Sequence, residues 1–231
     1  MYLSVYGKIN NPMRYSEIIT ESPQTDRDYR LAAKVVFNQM VTWVANRVDN
    51  DALVVSGGIV AIRMHQIDMD EYAPLVIILS EPMENNAAIG TVAAAFGVDE
   101  EAGPYILMTV PDLSDPELAN ELRRNEATFI HEFQHYLDHK RSGGKMKTSA
   151  HAKTYDEYFN NPSEVFAYYQ EGMARLSKMM PNGVSDIDGT TQEKVEWIKS
   201  NCFDQHFIQN LSPRNLRKIN ARIAKDIIER P

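Results

Sequence analysis

The chain has 231 residues and a mass of 26.3 kDa, with 43% hydrophobic and 24% charged residues, the bulk composition of an ordinary globular protein. Glycine and proline together make 22 residues, which excludes collagen-like and low-complexity chains, and one cysteine, Cys202, excludes both a disulfide framework and a cysteine-based zinc finger. The net charge of −8 is uneven: residues 64–122 hold twelve carboxylates and no lysine or arginine, whereas residues 212–231 sum to +4. An acidic balance argues against nucleic acid as a partner, since phosphate binding needs clustered cations, and the basic tail reads as a solvated helix face.

Taken in chain order, the first predicted element is a helix over residues 26–48. Leu31, Val35, Met40, Val44 and Val48 recur there at near-helical spacing, with Ala32, Val36 and Trp43 widening the stripe. A β-rich middle follows in residues 52–62, 75–79 and 105–110, which are β-branched and apolar. Residues 87–96 are open to two readings: their alanines allow a helix, while Gly90, Thr91 and Gly97 favour a strand. The second half reads as helical. Ser114 or Asp115 can cap a helix running over 116–141 to Gly143-Gly144, and a polar connection then leads to a helix capped by Asn160 or Asn161 with Pro162 at its start. Two further helices fit 191–200 and 213–229. Strands followed by helices imply an α+β fold in a single domain, with residues 1–112 as a helix-and-sheet lobe and 113–231 as a helical lobe.

The opening ten residues are polar, so no signal peptide is expected, and the longest apolar run, 73–79, is interrupted by Pro74 and too short for a membrane span. With one cysteine this predicts a soluble cytoplasmic protein, with no membrane partner.

The chemistry is carried by His131-Glu132-Phe133-Gln134-His135. On a helix the two histidines lie about 40° apart and one turn removed, so two imidazoles can grip one ion while Glu132 reaches a water beside it. Leu118, Leu122, Phe129, Phe133, Tyr136 and Leu137 fall on the other side of the same helix, as a metal-bearing helix packed on a core requires. Chance supplies on the order of 0.01 such matches in a chain of this composition.

A catalytic zinc needs a third protein ligand and an open position. The metzincin pattern, with glycine and a further histidine downstream, is absent from Tyr136 to Arg141. Glu164 is the better candidate: it stands in the first turn of the next helix, where the positive end of the dipole favours an ionised carboxylate, and its other reading is a capping partner for Asn161. Glu171 lies two turns on along the same stripe. Gly57-Gly58 has no phosphate-loop pattern around it, and no nucleophile elbow is present.

An HExxH helix followed by Asn161-Pro162-Ser163-Glu164-Val165-Phe166-Ala167 resembles the gluzincin branch of the zinc metallopeptidases. The stretch HEFQHYLD is also similar to small zincin-like proteins carried by bacteriophages, and the ImmA/IrrE-type peptidases share its logic. The likeness covers roughly residues 114–180. It implies a zincin-like fold, with a mostly antiparallel or mixed sheet packed on the metal-bearing helix. It also implies Zn2+ held by His131, His135 and Glu164, and a zinc-activated water attacking a peptide bond with Glu132 as general base. Where many gluzincins carry an acid four places after the glutamate ligand, this chain has Tyr168.

Tyr155, Tyr158 and His151 are candidates for stabilising the oxyanion, each with an alternative as a packing or loop residue. Asp138 is either a solvated acid or the acceptor that orients a histidine, and His139 reads as structural. The resemblance places the substrate on a sheet edge within 87–110. The acids around it, such as Asp99, Glu100 and Glu101, would then favour a basic peptide or protein. The competing expectation is a zincin-fold binding or virion-associated protein whose metal site is structural or vestigial.

Overall fold

A computed structural model describes residues 23–48, 53, 55–82, 94–144, 152 and 154–228. Its order is helix α1 (Pro23–Val48), strands β1 (Ile59–Arg63), β2 (Val76–Ser80), β3 (Ala94–Asp99) and β4 (Gly103–Thr109), then helices α2 (Leu118–Arg124), α3 (Glu126–Arg141), α4 (Tyr155–Phe159), α5 (Pro162–Met179), α6 (Thr191–Cys202), α7 (Gln205–Asn210) and α8 (Pro213–Ile228). This is the expected α+β arrangement. Among the described residues no helix is long and apolar enough to cross a membrane.

The sheet is mixed, with order β1-β2-β4-β3. The central pair β2 and β4 is parallel, and the outer pairs are antiparallel. Register aligns the apolar positions across all four strands: Ile62, Ile77, Ile106 and Phe96 form one row, and Val60, Leu79, Met108 and Ala94 the next. Because strand side chains alternate, these rows share one face, and that face meets α1 and α3. Gly97 is fixed by its cross-strand neighbour, for a Cβ there would fall 2.4 Å from the Tyr105 ring.

The helix-to-sheet core is aromatic at its centre. Phe37 of α1 packs on Phe129 at 5.2 Å between ring centroids, and Phe133 of α3 meets Tyr72 at 5.3 Å. Both α3 phenylalanines are fully buried. Truncating either to alanine costs about 3–5 kcal/mol. A second core, built from Phe159, Tyr169, Met173, Ile198, Phe207, Ile223 and their neighbours, holds α4 to α8 together. Helices α3 and α5 pack against each other between the two cores.

Three expectations need correction. The buried stripe of α1 runs through Ala33, Val36, Phe37, Met40, Val41 and Val44, while Leu31 and Val35 point to solvent at 62% and 41% exposure. The single helix expected over 116–141 is two, α2 and α3, broken at Asn125, whose N–H bonds Leu122 O at 2.9 Å. The reason it reads as one is that Leu122 and Phe129 are seven residues apart, so the apolar phase survives the break. Among the described residues the first strand begins at Ile59, later than the sequence suggests. Of the ambiguous segment 87–96, the part within the described residues is extended from Ala94; the rest lies outside them.

Candidate metal centre

Helix α3 presents His131 and His135 toward α5, with imidazole centroids 5.0 Å apart and nearly perpendicular. The start of α5 supplies the third group. Asn161 caps it, accepting from Ser163 N at 3.0 Å with Pro162 in the first turn. Asn160 is used elsewhere, accepting from Ser212 N just before α8 and from Asn215 Nδ2 in its first turn. The cap aims Glu164 at both histidines: His131 Nε2 lies 3.5 Å from Glu164 Oε2, His135 Nε2 3.5 Å from Glu164 Oε1, and the two Nε2 atoms 3.2 Å apart. All three residues are buried, and they are the group among the described residues whose donor atoms converge as metal ligands do.

The dimensions suit a tetrahedral ion. Ligand bonds of 2.0–2.1 Å at tetrahedral angles put neighbouring ligand atoms about 3.3–3.4 Å apart; the two Nε2 atoms are 3.2 Å apart, and each lies 3.5 Å from a different oxygen of Glu164. The far sides of both rings are also taken. His131 Nδ1 meets Glu171 Oε2 at 3.1 Å, and Arg175 Nη2 donates to the other oxygen of that carboxylate at 2.5 Å. His135 Nδ1 meets Ser163 Oγ at 3.0 Å. Both Nε2 atoms are thereby left for the shared point.

This convergence of acceptors attracts positive charge. Burial alone would lower the pKa of His131. The side-chain bonds with Glu164 and Glu171, with the charges of Glu132 and Glu171 added, outweigh it and carry the pKa up to about 10. Burial would raise that of Glu164, but its bonds to His131 and His135 hold it well below the usual carboxylate range. These carboxylates favour a cation at the position, and the three residues could hold a metal ion there.

Glu132, partly exposed, accepts from Phe96 N of β3 at 2.7 Å, and its charge acts on His131. A charge-assisted bond of that length fixes one carboxylate oxygen. The contact also fixes which β3 groups face outward: in an antiparallel pair alternate residues bond the partner strand, so Ala94, Phe96 and Val98 turn their backbone groups away from β4.

Of the tyrosine candidates, Tyr158 reaches the site and Tyr155 does not. Tyr158 is within hydrogen-bonding reach of Glu164 and Tyr168, and burial, then the charge of Glu164, pushes its pKa far above the ordinary value. Tyr155 is 74% exposed and stacks on Phe159, with His206 beside it. His151 lies outside the described residues. His139 stays out of the triangle, its ring 5.8 Å from that of Phe96.

Two residues to which the sequence reading gave no role at the site, Ser163 and Tyr168, matter here. Ser163, which reads as an ordinary first-turn residue, faces His135, and Tyr168 closes a wall with its ring edge-on to His131 at 4.5 Å. Tyr168 stands where an acid was expected, and Glu171, three residues further, supports His131 instead. No family model, no curated protein and no solved structure matches this chain.

Proposed function

We propose that the chain is a zinc-dependent metallopeptidase of zincin-like design, with His131, His135 and Glu164 as metal ligands and Glu132 as general base. The observation that carries the reading is the buried triangle of ligand atoms with a separately anchored carboxylate beside it. A site that only held metal for structure has no need of a general base at Glu132. When bound, the metal supplies Lewis acidity, which acidifies water and polarises a carbonyl. Glu132, tethered through Oε2 to Phe96 N, offers its Oε1 to an attacking water, takes its proton and delivers it to the departing amine. Tyr158, whose raised pKa keeps it protonated, serves as a neutral donor at the edge of the site. Strand β3, the outer strand of the sheet among the described residues, is where a peptide would lie.

The test is Glu132→Gln. Zinc content by elemental analysis should stay at that of the unaltered protein, and hydrolysis of a peptide library should fall by at least two orders of magnitude. Zinc uptake with no hydrolysis by the unaltered protein would replace this reading with that of a binding protein. Absence of zinc uptake would overturn the ligand assignment.

A further inference from the structure

We propose that Asp138 selects the metal-binding tautomer of His135 through the hydroxyl of Ser163, which makes Asp138 and Ser163 positioning residues of the centre. The proposal rests on the metal reading above. A neutral imidazole carries one proton and one lone pair, so His135 can face the shared point with Nε2 bare only if Nδ1 holds the proton. The partner of Nδ1 is Ser163 Oγ, and a hydroxyl can accept or donate with equal ease. What breaks the tie is Asp138, whose Oδ2 lies 3.3 Å from Ser163 Oγ. A carboxylate only accepts, so the hydroxyl proton goes to Asp138 and the serine lone pairs are left for the N–H of His135.

The chain of donation runs His135 Nδ1 to Ser163 to Asp138 and ends at a group that is itself fixed. Asp138 is 2% exposed, accepts from Gln134 Nε2 at 2.9 Å and has Arg141 Nη1 at 3.9 Å. Ser163 cannot drift, since its backbone N–H is bound by the Asn161 cap and its neighbour is the ligand Glu164. The two histidines are thus set differently: His131 meets a carboxylate directly, whereas His135 meets one through a hydroxyl. Without Asp138, the serine can turn and donate to Nδ1. The ring then carries its proton on Nε2, directed at the metal position, and ceases to be a ligand.

The experiment pairs two readouts on Ser163→Ala, Asp138→Ala, the double variant and Ser163→Thr. The first is zinc affinity by competition with a chromophoric chelator. The second is the protonated nitrogen of His135 by 15N NMR of the metal-free protein. Each single alanine variant should bind zinc about 10–100-fold more weakly. The double variant should be no weaker than the worse single one, because Asp138 reaches His135 by way of Ser163. Ser163→Thr, which keeps the hydroxyl, should restore affinity. The proton should sit on Nδ1 in the unaltered protein and on Nε2 in Asp138→Ala.

Multiplying losses in the double variant, or an Nδ1 proton that survives removal of Asp138, would overturn the proposal. If Asp138→Ala does not fold, the serine pair decides: an alanine variant with full zinc affinity overturns it, and a loss rescued by threonine sustains it. If the unaltered protein takes up no zinc, the metal reading fails, while the NMR measurement still decides the relay.

Discussion

Helix α5 carries buried polar groups on two faces, and they are balanced in opposite ways. On one face Gln170 Oε1 accepts from Arg30 Nη1 at 2.7 Å. Asp226 Oδ2 accepts from Arg30 Nη2 at 3.2 Å and from the Tyr169 hydroxyl at 2.8 Å, tying α1, α5 and α8 together. On the other face Glu164 and Glu171 meet His131 and His135. Arginine does not give up its proton, so its buried charge needs Asp226 under every condition. Histidine does, so the positive charge on the second face is exchangeable, and a proton or a metal could supply it. A buried network with a permanent cation is a fastener. One built from exchangeable protons and converging lone pairs is a socket.

Substitutions that break each side should separate the two by size. Asp226→Ala leaves Arg30 buried without its counter-charge and should cost about 3–5 kcal/mol, the same with and without zinc. Glu164→Gln should cost less in metal-free protein, because His131 can shed its proton. It should also delete the stabilisation by zinc, which reaches about 4 kcal/mol at a thousandfold excess over the dissociation constant. Urea unfolding of both variants, each with and without zinc, gives all four values. A zinc increment retained in Glu164→Gln would show that the socket has another third ligand.

The pH response sharpens the same contrast. Without metal, His131 has a folded pKa of about 10 against 6.5 as its ordinary value, so its contribution is complete below pH 6.5 and fades as pH rises through about 10. Glu164 has the opposite sense: its lowered folded pKa gives a contribution present above about pH 4.5 and lost as pH falls below that. Metal must displace the His131 proton, so the apparent zinc affinity should rise about tenfold per pH unit through neutrality. Thermal unfolding from pH 6.5 to 8.5 should show the zinc-free protein losing stability as pH rises and the zinc-loaded protein gaining on it. Parallel curves would remove the proton from this account.

Much of the socket was legible because it is local. His131 and His135 are one helical turn apart, and the Asn-Pro start of α5 announces where Glu164 begins its helix. What was not legible is what crosses the chain. The anchor of Glu132 is a backbone N–H of β3, which has no residue signature. Asp226 lies 196 residues from Arg30 and looks like any acid on a basic helix. Ser163 is hidden by its own good fit to a first helical turn. The break at Asn125 escaped because apolar phase, the signal that finds helices, runs through it unchanged.

The smallest expected effect concerns the acids beside the socket. Asp99, Glu100 and Glu101 are exposed at the end of β3 and the turn after it, three to five residues beyond Phe96, the contact of Glu132. Asp99 Oδ1 accepts from Ala102 N at 2.7 Å and Glu101 N at 2.9 Å, bonds that lower its pKa and keep it charged at any working pH. A peptide laid along the outward edge of β3 would end near these three negative charges. Their field should favour lysine- or arginine-rich peptides over acidic ones by on the order of tenfold in kcat/KM at low salt. Because the charges are exposed, the preference should collapse once the screening length falls to about 3 Å, near 1 M salt. Neutralising the turn with Asp99→Asn, Glu100→Gln and Glu101→Gln together should abolish the preference and leave zinc affinity untouched. A preference that survives both treatments would place the source of selectivity in the pocket instead of the turn, and indifference to peptide charge at low salt would remove the acids from substrate choice altogether.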